Sequence, residues 1–183
     1  GTGQPCPSKS TVTIEESGMV FGPYNEGECF RIEASEAYRA IQTGVMMAEF
    51  LLIRNSSDRR AVWIIEAKSR SPHAGAKQRF DEFIGELREK LVNALHLGLA
   101  SCLGRHRAAE HQLPQAFRDL DLKVVAFRLI VVIKGHEDDW LPPLDDALNA
   151  ALNATIKTWA LGANSVVVIN DRLARARGLI SNS

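Results

Sequence analysis

Cysteine is scarce in this chain, and its scarcity excludes two kinds of small domain. The 183 residues include three cysteines, Cys6, Cys29 and Cys102. Their odd number and wide separation fit neither a disulfide framework nor a zinc site, which needs ligands at short, regular spacing. We therefore expect reduced thiols and a cytoplasmic protein.

The sequence also lacks a long apolar run, a visible signal peptide and an excess of either charge. No run reaches the length of a membrane span, so we expect no membrane partner. The 22 basic residues balance the 22 acidic ones, which argues against an indiscriminate nucleic-acid binder. P-loop and dinucleotide fingerprints, internal repeats and low-complexity tracts are missing as well.

What is present is the length and the apolar content of one ordinary globular domain. With 183 residues, 45% of them hydrophobic, the chain can bury a sizeable core. We expect a single domain over residues 1–183, in which residues 1–10 form a loose N-terminal segment.

Alternation and helical spacing predict the order of the elements. We expect a mixed central sheet flanked by helices in a three-layer α/β domain. The predicted strands cover 11–16, 28–35, the two arms of a hairpin within 45–72, 122–135 and 165–169. The predicted helices cover 35–42, about 73–103, 142–159 and 170–178, and residues 18–27 are expected to form a loop.

The hairpin stretch, VMMAEFLLIRNSSDRRAVWIIEAKSRSP, carries the best functional clue. Its apolar arms are interrupted by Glu49 in the first arm and by Glu66 and Lys68 in the second. Charged side chains are rarely buried in strands unless they are paired or bind something. These three residues are therefore the first candidates for a site.

The register of the hairpin follows from the position of its turn. A turn centred between Ser57 and Asp58 places Glu49 opposite Glu66, and period-two alternation puts Lys68 on the same face. A slip of one residue would move Glu49 to the other face. The same register places Leu51 opposite Ile64 and Met47 opposite Lys68.

Two carboxylates in this position need a proton or a cation between them. Directly opposed Cβ atoms lie roughly 4.5–5.5 Å apart, so Glu49 and Glu66 repel each other unless one is protonated or a cation is bound. Mg²⁺, or Mn²⁺, suits such oxygen ligands. The alternative is an ordinary ion pair between Glu66 and Lys68 at the end of a strand.

An acid, a hairpin and then Glu-Ala-Lys at the end of an apolar strand resemble the PD-(D/E)XK nuclease superfamily. The resemblance is specific over residues 45–80, with Ala48 in place of the proline and glutamate in place of the commoner aspartate. It implies a restriction-endonuclease-like core and a metal held by Glu49, Glu66 and the backbone carbonyl of Ala67. Lys68 would then position the attacking water.

The resemblance implies two further site residues outside the hairpin. Glu33 is the preferred accessory acid before the hairpin, whereas Glu36 is better explained as a first-turn helix acid. On the long helix, Gln78 is the best candidate to face the substrate, ahead of its neighbours Lys77 and Arg79. All of these residues could equally be ordinary surface residues.

Other polar residues are expected to serve the structure rather than a functional site. The face of the long helix that carries Glu82, Glu86, Glu89 and Lys90 is expected to be solvated. His73 is expected to be a solvated loop residue rather than a base. Arg128 interrupts the predicted central strand and is expected to pair with an acid, and HEDDW at 136–140 is expected to be an acidic turn rather than a second metal site.

Charge is unevenly distributed along the chain. Residues 1–50 hold three basic and seven acidic side chains, whereas residues 51–110 hold eleven basic and seven acidic ones. The basic excess coincides with the hairpin, as a phosphate-binding face requires. We therefore expect a nuclease dependent on Mg²⁺ or Mn²⁺ that acts on nucleic acid, with DNA favoured. The alternative is an inactive nuclease-like module that binds nucleic acid or a protein partner in a larger assembly. A homodimer would suit double-strand cutting.

Overall fold

The computed structural model describes residues 10–56 and 59–182. Within those residues the chain forms seven β-strands and six α-helices. The strands are β1 (Thr11–Glu16), β2 (Met19–Asn25), β3 (Cys29–Phe30), β4 (Phe50–Ser56), β5 (Arg59–Lys68), β6 (Ala126–Ile133) and β7 (Val166–Asn170). The helices are α1 (Glu36–Arg39), α2 (Lys77–Cys102), α3 (Gln115–Arg118), α4 (Leu141–Ala151), α5 (Asn153–Thr158) and α6 (Asp171–Ala176).

Five strands form one mixed sheet in the order β3-β4-β5-β6-β7. The β3, β4 and β5 strands are antiparallel neighbours, and β5, β6 and β7 are parallel neighbours. The sheet has a hydrophobic core on each face. One core packs against α2 and α4, and the other packs against α6 and a separate β1–β2 hairpin. The predicted α/β class with a mixed, helix-flanked sheet is confirmed.

The hairpin register agrees with the sequence prediction along the β4–β5 ladder. Leu51 lies opposite Ile64, as predicted. The ladder begins at Phe50 and Ile65, so it starts one residue after the predicted pair of Glu49 and Glu66. The backbone N–H of Glu49 donates to the Ile65 carbonyl at 3.0 Å. The predicted pair of Met47 and Lys68 is not part of this ladder, and the turn at 57–58 lies outside the described residues.

The predicted central strand is confirmed as β6. Residues 129–133 are fully buried because both faces of the sheet are covered there. The predicted ion pair of Arg128 is not present among residues 10–56 and 59–182, where its guanidinium lies 5.9 Å from the centroid of the Trp63 ring on β5. An aromatic face can stabilise a cation at a position where an apolar environment offers no carboxylate.

The predicted loop at 18–27 was also wrong, because most of it forms β2. Glycine and proline suggested a loop, but β2 belongs to a two-stranded sheet with β1, and its other side forms just an isolated bridge, from Phe21 to Ile180, among the described residues. A strand outside the main sheet tolerates both residues. Gly22 has a positive φ of 101°, and a Cβ there would lie 2.8 Å from the Val12 carbonyl oxygen. Buried Phe21 and Tyr24 fix this hairpin on the sheet.

Several other predicted elements are shorter than expected, among them α1, which covers Glu36–Arg39, and β6, which covers Ala126–Ile133. The strand predicted at 28–35 is limited to Cys29–Phe30, because a 3₁₀ turn at Ile32–Ala34 follows it. The helix predicted at 142–159 divides into α4 and α5 near Leu152. Ser35 caps α1 as predicted, with its Oγ accepting a hydrogen bond from the Tyr38 N–H at 3.1 Å. None of the helices in the described parts of the chain is long and apolar enough to span a membrane.

Candidate metal centre

The candidate site lies where β5 ends and β4 begins. Glu66 and Lys68 are near the carboxyl end of β5, and Glu49 immediately precedes β4. Alternation along β5 turns Glu66 and Lys68 toward α2, on the face opposite Ile65 and Ala67. Glu66 is fully buried, with 0% of its surface exposed. The fold therefore removes one carboxyl group entirely from solvent.

Glu49 connects the predicted acids. Its carboxyl lies within hydrogen-bonding reach of both Glu33 and Glu66, so the three predicted acids meet in one place. Burial, the hydrogen bond with Glu33 and the charge of Glu66 together raise the pKa of Glu49 to about 10. At neutral pH the group consequently holds a proton in the absence of a cation.

Glu16, the last residue of β1, is an acid that sequence reasoning missed. Carboxylate oxygens of Glu16, Glu33 and Glu49 all lie within 4.8 Å of one another. They line a cleft of about 260 Å³, to which Arg31 contributes a basic side chain. The sequence holds no local signal for Glu16, because only the folding of the β1–β2 hairpin against the sheet brings it here.

Glu66 has an incomplete set of hydrogen bonds. Its Oε1 accepts a hydrogen bond from the Ala67 N–H at 3.1 Å. Its Oε2 is buried and accepts no hydrogen bond from the described residues, although the Lys90 Nζ lies 3.2 Å away. Burial raises the pKa of Glu66, and the charges of Lys90 and Lys68 oppose that rise. Lys90 therefore compensates the charge of this buried carboxylate, and the lone pairs of Oε2 leave room for a further partner.

The middle of α2 supplies two residues to the site. Lys68 Nζ donates to Glu86 Oε1 at 2.6 Å, and Lys90 Nζ lies 3.5 Å from the same oxygen. Lys68 also lies 5.8 Å from the centroid of the Phe83 ring. The prediction of a solvated face was therefore wrong for Glu86 and Lys90, which pair with the two charges of β5.

These ion pairs shift the pKa values of both helix residues. The hydrogen bond from Lys68 lowers the pKa of Glu86. Burial opposes the charge on Lys90, but the charges of Glu66 and Glu86 prevail and raise its pKa. Two lysines thus balance Glu66 and Glu86, while the cluster of Glu16, Glu33 and Glu49 has an excess of acid.

Gln78 lies elsewhere on α2. It is exposed in the first turn and donates to Glu82 at 3.1 Å. Its neighbour Lys77 pairs with Asp81 at 3.3 Å. Residues 69–76 form a connection, so the helix begins at Lys77 instead of about residue 73. Glu86 is nine residues beyond Lys77, roughly 13 Å along the helix axis, so the middle of α2 rather than its first turn passes the site.

The backbone carbonyl of Ala67, a predicted metal ligand, accepts a hydrogen bond from Ser17 Oγ at 3.0 Å. A carbonyl oxygen has a second lone pair, so this bond leaves one acceptor position. Ser17 directly follows Glu16, which brings the β1–β2 turn to the same edge of the sheet as the acid cluster.

The loop after β6 has a structural explanation. Asp138 of the HEDDW segment accepts a hydrogen bond from Asn170 at 2.6 Å and pairs with Arg172. His73 is exposed, and its ring centroid lies 4.8 Å from that of Trp140. The ring centroid of His136 lies 5.3 Å from that of Trp140 as well. Asp138 of the acidic segment consequently helps to fix the start of α6.

The donors of the acid cluster fit a hard divalent cation. Carboxylate oxygens from Glu16, Glu33 and Glu49 match the oxygen ligands that Mg²⁺ and Mn²⁺ accept, and Glu66 adjoins them through Glu49. Comparisons with protein-family models, with curated proteins and with solved structures gave no match.

Proposed function

We propose that this protein is a nuclease dependent on Mg²⁺ or Mn²⁺ that hydrolyses phosphodiester bonds in nucleic acid, with DNA as the favoured substrate. The observation that carries the proposal is the meeting of Glu33, Glu49 and Glu66 beside Lys68. We further propose that the mixed sheet represents a restriction-endonuclease-like core, on the strength of the Glu49, Glu66 and Lys68 pattern.

Each residue has a definite role in this proposal. Glu49, Glu66 and the Ala67 carbonyl would hold the ion, with Glu33 and Glu16 as further oxygen donors. The ion would supply Lewis acidity and lower the pKa of a bound water. Lys68 would orient the attacking water and stabilise negative charge that develops on the phosphate.

Glu86 and Lys90 would support this arrangement from α2. Glu86 holds the ammonium of Lys68 at 2.6 Å, which limits the directions in which that side chain can point. Lys90 offsets the buried charge of Glu66. Gln78 stays a weaker candidate for substrate contact, since its position in the first turn is exposed and its amide is bonded to Glu82.

A specific observation favours the second candidate, an inactive module. Lys68, Glu86, Lys90 and Glu66 form a chain of ion pairs in which every charge has a partner without a metal. Such a network can serve stability alone. In that case the protein would bind nucleic acid or a partner protein in a larger assembly without cutting.

Cleavage assays on paired variants distinguish the two candidates. We expect Glu66→Gln and Lys68→Ala to reduce Mg²⁺-dependent cleavage of plasmid and single-stranded DNA by about 100-fold or more, the usual effect of removing a polar catalytic group. Glu89→Gln, an exposed residue of the same helix, should cleave like the unaltered protein. Circular dichroism would show whether each variant retains its fold.

Metal binding supplies the second measurement. Calorimetric titration should show that Mn²⁺ binds the unaltered chain and binds Glu66→Gln more weakly. Full activity in either site variant would contradict the site assignment. Absence of both cleavage and metal binding in the unaltered protein would favour the inactive module.

A further inference from the structure

A second surface lies on the face of the sheet that packs against α6 and the β1–β2 hairpin. Alternation along the strands brings three side chains together on this face: Arg54 of β4, Trp63 of β5 and Arg128 of β6. Glu66 lies three residues beyond Trp63, roughly 10 Å along the strand, and it points to the opposite face. The surface is therefore separate from the acid cluster.

Two cation–π contacts organise these three side chains. The guanidinium carbon of Arg54 lies 4.9 Å from the centroid of the Trp63 ring, and that of Arg128 lies 5.9 Å from it. All three side chains are half-buried, and indole is the aromatic ring that attracts a cation most strongly. The ring therefore holds an arginine from each neighbouring strand, with part of each side chain in solvent.

Both arginines keep hydrogen-bond donors for a ligand. Arg54 Nη2 donates to the backbone carbonyl of Arg177, the residue that follows α6, at 2.6 Å. This bond fixes the side chain and uses one of its five N–H groups. The Arg128 guanidinium forms no hydrogen bond or ion pair within residues 10–56 and 59–182. Several N–H groups of the two residues are thus available to an anion.

The strands and α6 supply no compensating acid to this face. Among the described residues of β4 to β7, those that alternate onto this face include no aspartate or glutamate. Asp171 is the one acid of α6, and it pairs with Arg175 of the same helix at 3.5 Å. Arg54, Arg128 and the exposed Arg177 form no ion pair in the described parts of the chain. The local charge is therefore positive.

The acids of β1 and of the turn after β2 do not pair with these arginines either. Glu16 belongs to the acid cluster, and Glu15 is exposed on the other side of β1. Glu26 accepts a hydrogen bond from Ser10 Oγ at 2.5 Å. Neither these acids nor Glu28 forms an ion pair with an arginine where the chain is described. The positive charge beside Trp63 is consequently open to a ligand.

The chemistry of the surface suits nucleic acid. A guanidinium binds two phosphate oxygens at once through parallel N–H groups. When it stacks on an aromatic ring, its outer plane can still receive a base. Each nucleotide carries both a phosphate and a base, whereas an acidic peptide or an anionic lipid offers the negative charge alone. The combination of ring and guanidinium planes therefore favours a polynucleotide.

We propose that the surface formed by Arg54, Trp63 and Arg128 binds single-stranded nucleic acid, with phosphates at the guanidinium edges and bases on the outer guanidinium planes. The bases of a single strand can stack on a protein, whereas those of a duplex already stack on one another. Arg177 extends the surface toward the end of α6. The proposal stands independently of the nuclease assignment, because it requires neither a metal nor the acid cluster.

The test is the binding of a fluorescently labelled single-stranded DNA of about 16 nucleotides, measured by anisotropy in a chelating agent so that no metal joins the DNA to the acid cluster. We expect saturable binding to the full chain. Arg128→Gln should weaken it about tenfold or more, because a charge-assisted contact is lost. The same variant should reduce the slope of log affinity against log salt concentration by about 0.7.

Arg105→Gln is the matched control for the loss of one arginine. Arg105 is exposed just after α2, on the other side of the sheet, and forms no ion pair with a described residue. This variant should keep the affinity and the salt slope of the unaltered chain. Lys68→Ala should also bind the DNA normally, which separates this surface from the proposed cleavage site.

Trp63→Leu tests the role of the ring, because it retains both arginines and removes their common contact. It should weaken binding severalfold while circular dichroism shows a retained fold. Absence of saturable binding by the unaltered chain, or equal affinities of Arg128→Gln and Arg105→Gln, would overturn the proposal. Displacement of the labelled DNA by polyglutamate or by phosphatidylserine vesicles at lower concentrations than by unlabelled DNA would overturn it as well, and would assign the surface to an acidic peptide or to a membrane.

Discussion

Glu49 is the residue at which proton and cation compete. Its carboxyl shares the space between Glu33 and Glu66, and its pKa of about 10 reflects burial first and acidic neighbours second. In the absence of metal, a proton on Glu49 removes the repulsion between these carboxyl groups. A bound divalent cation would remove it instead. The protonation state of Glu49 therefore indicates whether the cluster holds a proton or a cation.

The raised pKa of Glu49 predicts a pH-dependent stability. An unfolded glutamate titrates near about 4.3, so between that value and about 10 the folded chain holds more protons than the unfolded one. The contribution of Glu49 to the free energy of unfolding therefore falls as pH rises through this window. Glu49→Gln, which removes the titration and keeps the shape, should lose less stability than the unaltered protein between pH 6 and pH 9.

Thermal melts in a chelating agent measure this difference. Glu89→Gln removes an exposed carboxyl from α2 and should keep the pH dependence of the unaltered chain. If Glu49→Gln showed the same decline in Tm as Glu89→Gln, Glu49 would not hold the excess proton.

At the scale of elements, α2 makes different contacts along its length. Its middle turns bring Glu86 and Lys90 to β5, and Gly98 allows it to approach β4 closely. A Cβ at Gly98 would lie 2.8 Å from Leu51 Cδ2, whereas a Cβ at Gly85 would meet no atom within 4 Å.

The two glycines of α2 predict opposite effects on stability. Gly85→Ala should stabilise the protein by about 1 kcal/mol, because alanine restricts the unfolded chain and favours the helix. Gly98→Val should destabilise it by about 1–3 kcal/mol through overpacking against buried Leu51. Urea unfolding of both variants measures the two changes, and a stabilised Gly98→Val would show that α2 and β4 are not held in close contact.

The sequence predicted those elements whose signals are local. The β4–β5 register followed from the alternation around one turn, and β6 followed from its continuous apolar run. The β2 strand was missed because its glycine and proline are acceptable only in a hairpin outside the main sheet. Whether a strand has one neighbour or two is a tertiary property that the local pattern does not contain.

The same distinction applies to the site residues. Glu49, Glu66 and Lys68 interrupt apolar strands and were therefore visible as anomalies. Glu86 and Lys90 occupy a helix face with ordinary polar spacing, and the length of the connection after β5 decides which turn meets the site. Glu16 was hidden for a similar reason, since it is remote in sequence and looks like any acid at the end of a strand.

At the scale of the whole molecule, proton release should accompany metal binding. Since Glu49 is protonated below a pH of about 10, an ion that displaces this proton should bind about 100-fold more tightly at pH 8 than at pH 6. Mg²⁺ should accordingly raise the Tm more at pH 8. Calorimetry in two buffers with different ionisation enthalpies would measure the released proton.

Glu49→Gln provides the control for this experiment, because position 49 then has no proton to release. It should bind Mg²⁺ weakly and with a smaller dependence on pH than the unaltered protein. Equal Mg²⁺ affinity of the unaltered protein at pH 6 and pH 8 would contradict a metal centre that includes Glu49.

The complete burial of Glu66 has a consequence for experiments in salt. Mobile ions screen charges that are in contact with solvent, with a Debye length of about 8 Å at physiological ionic strength, and they screen buried pairs much less. Glu66 and the partly buried Lys90 should therefore keep their attraction in concentrated salt. The exposed Arg60 at the other end of β5 has no such protection. Ionic strength thus acts on the two ends of one strand to different degrees.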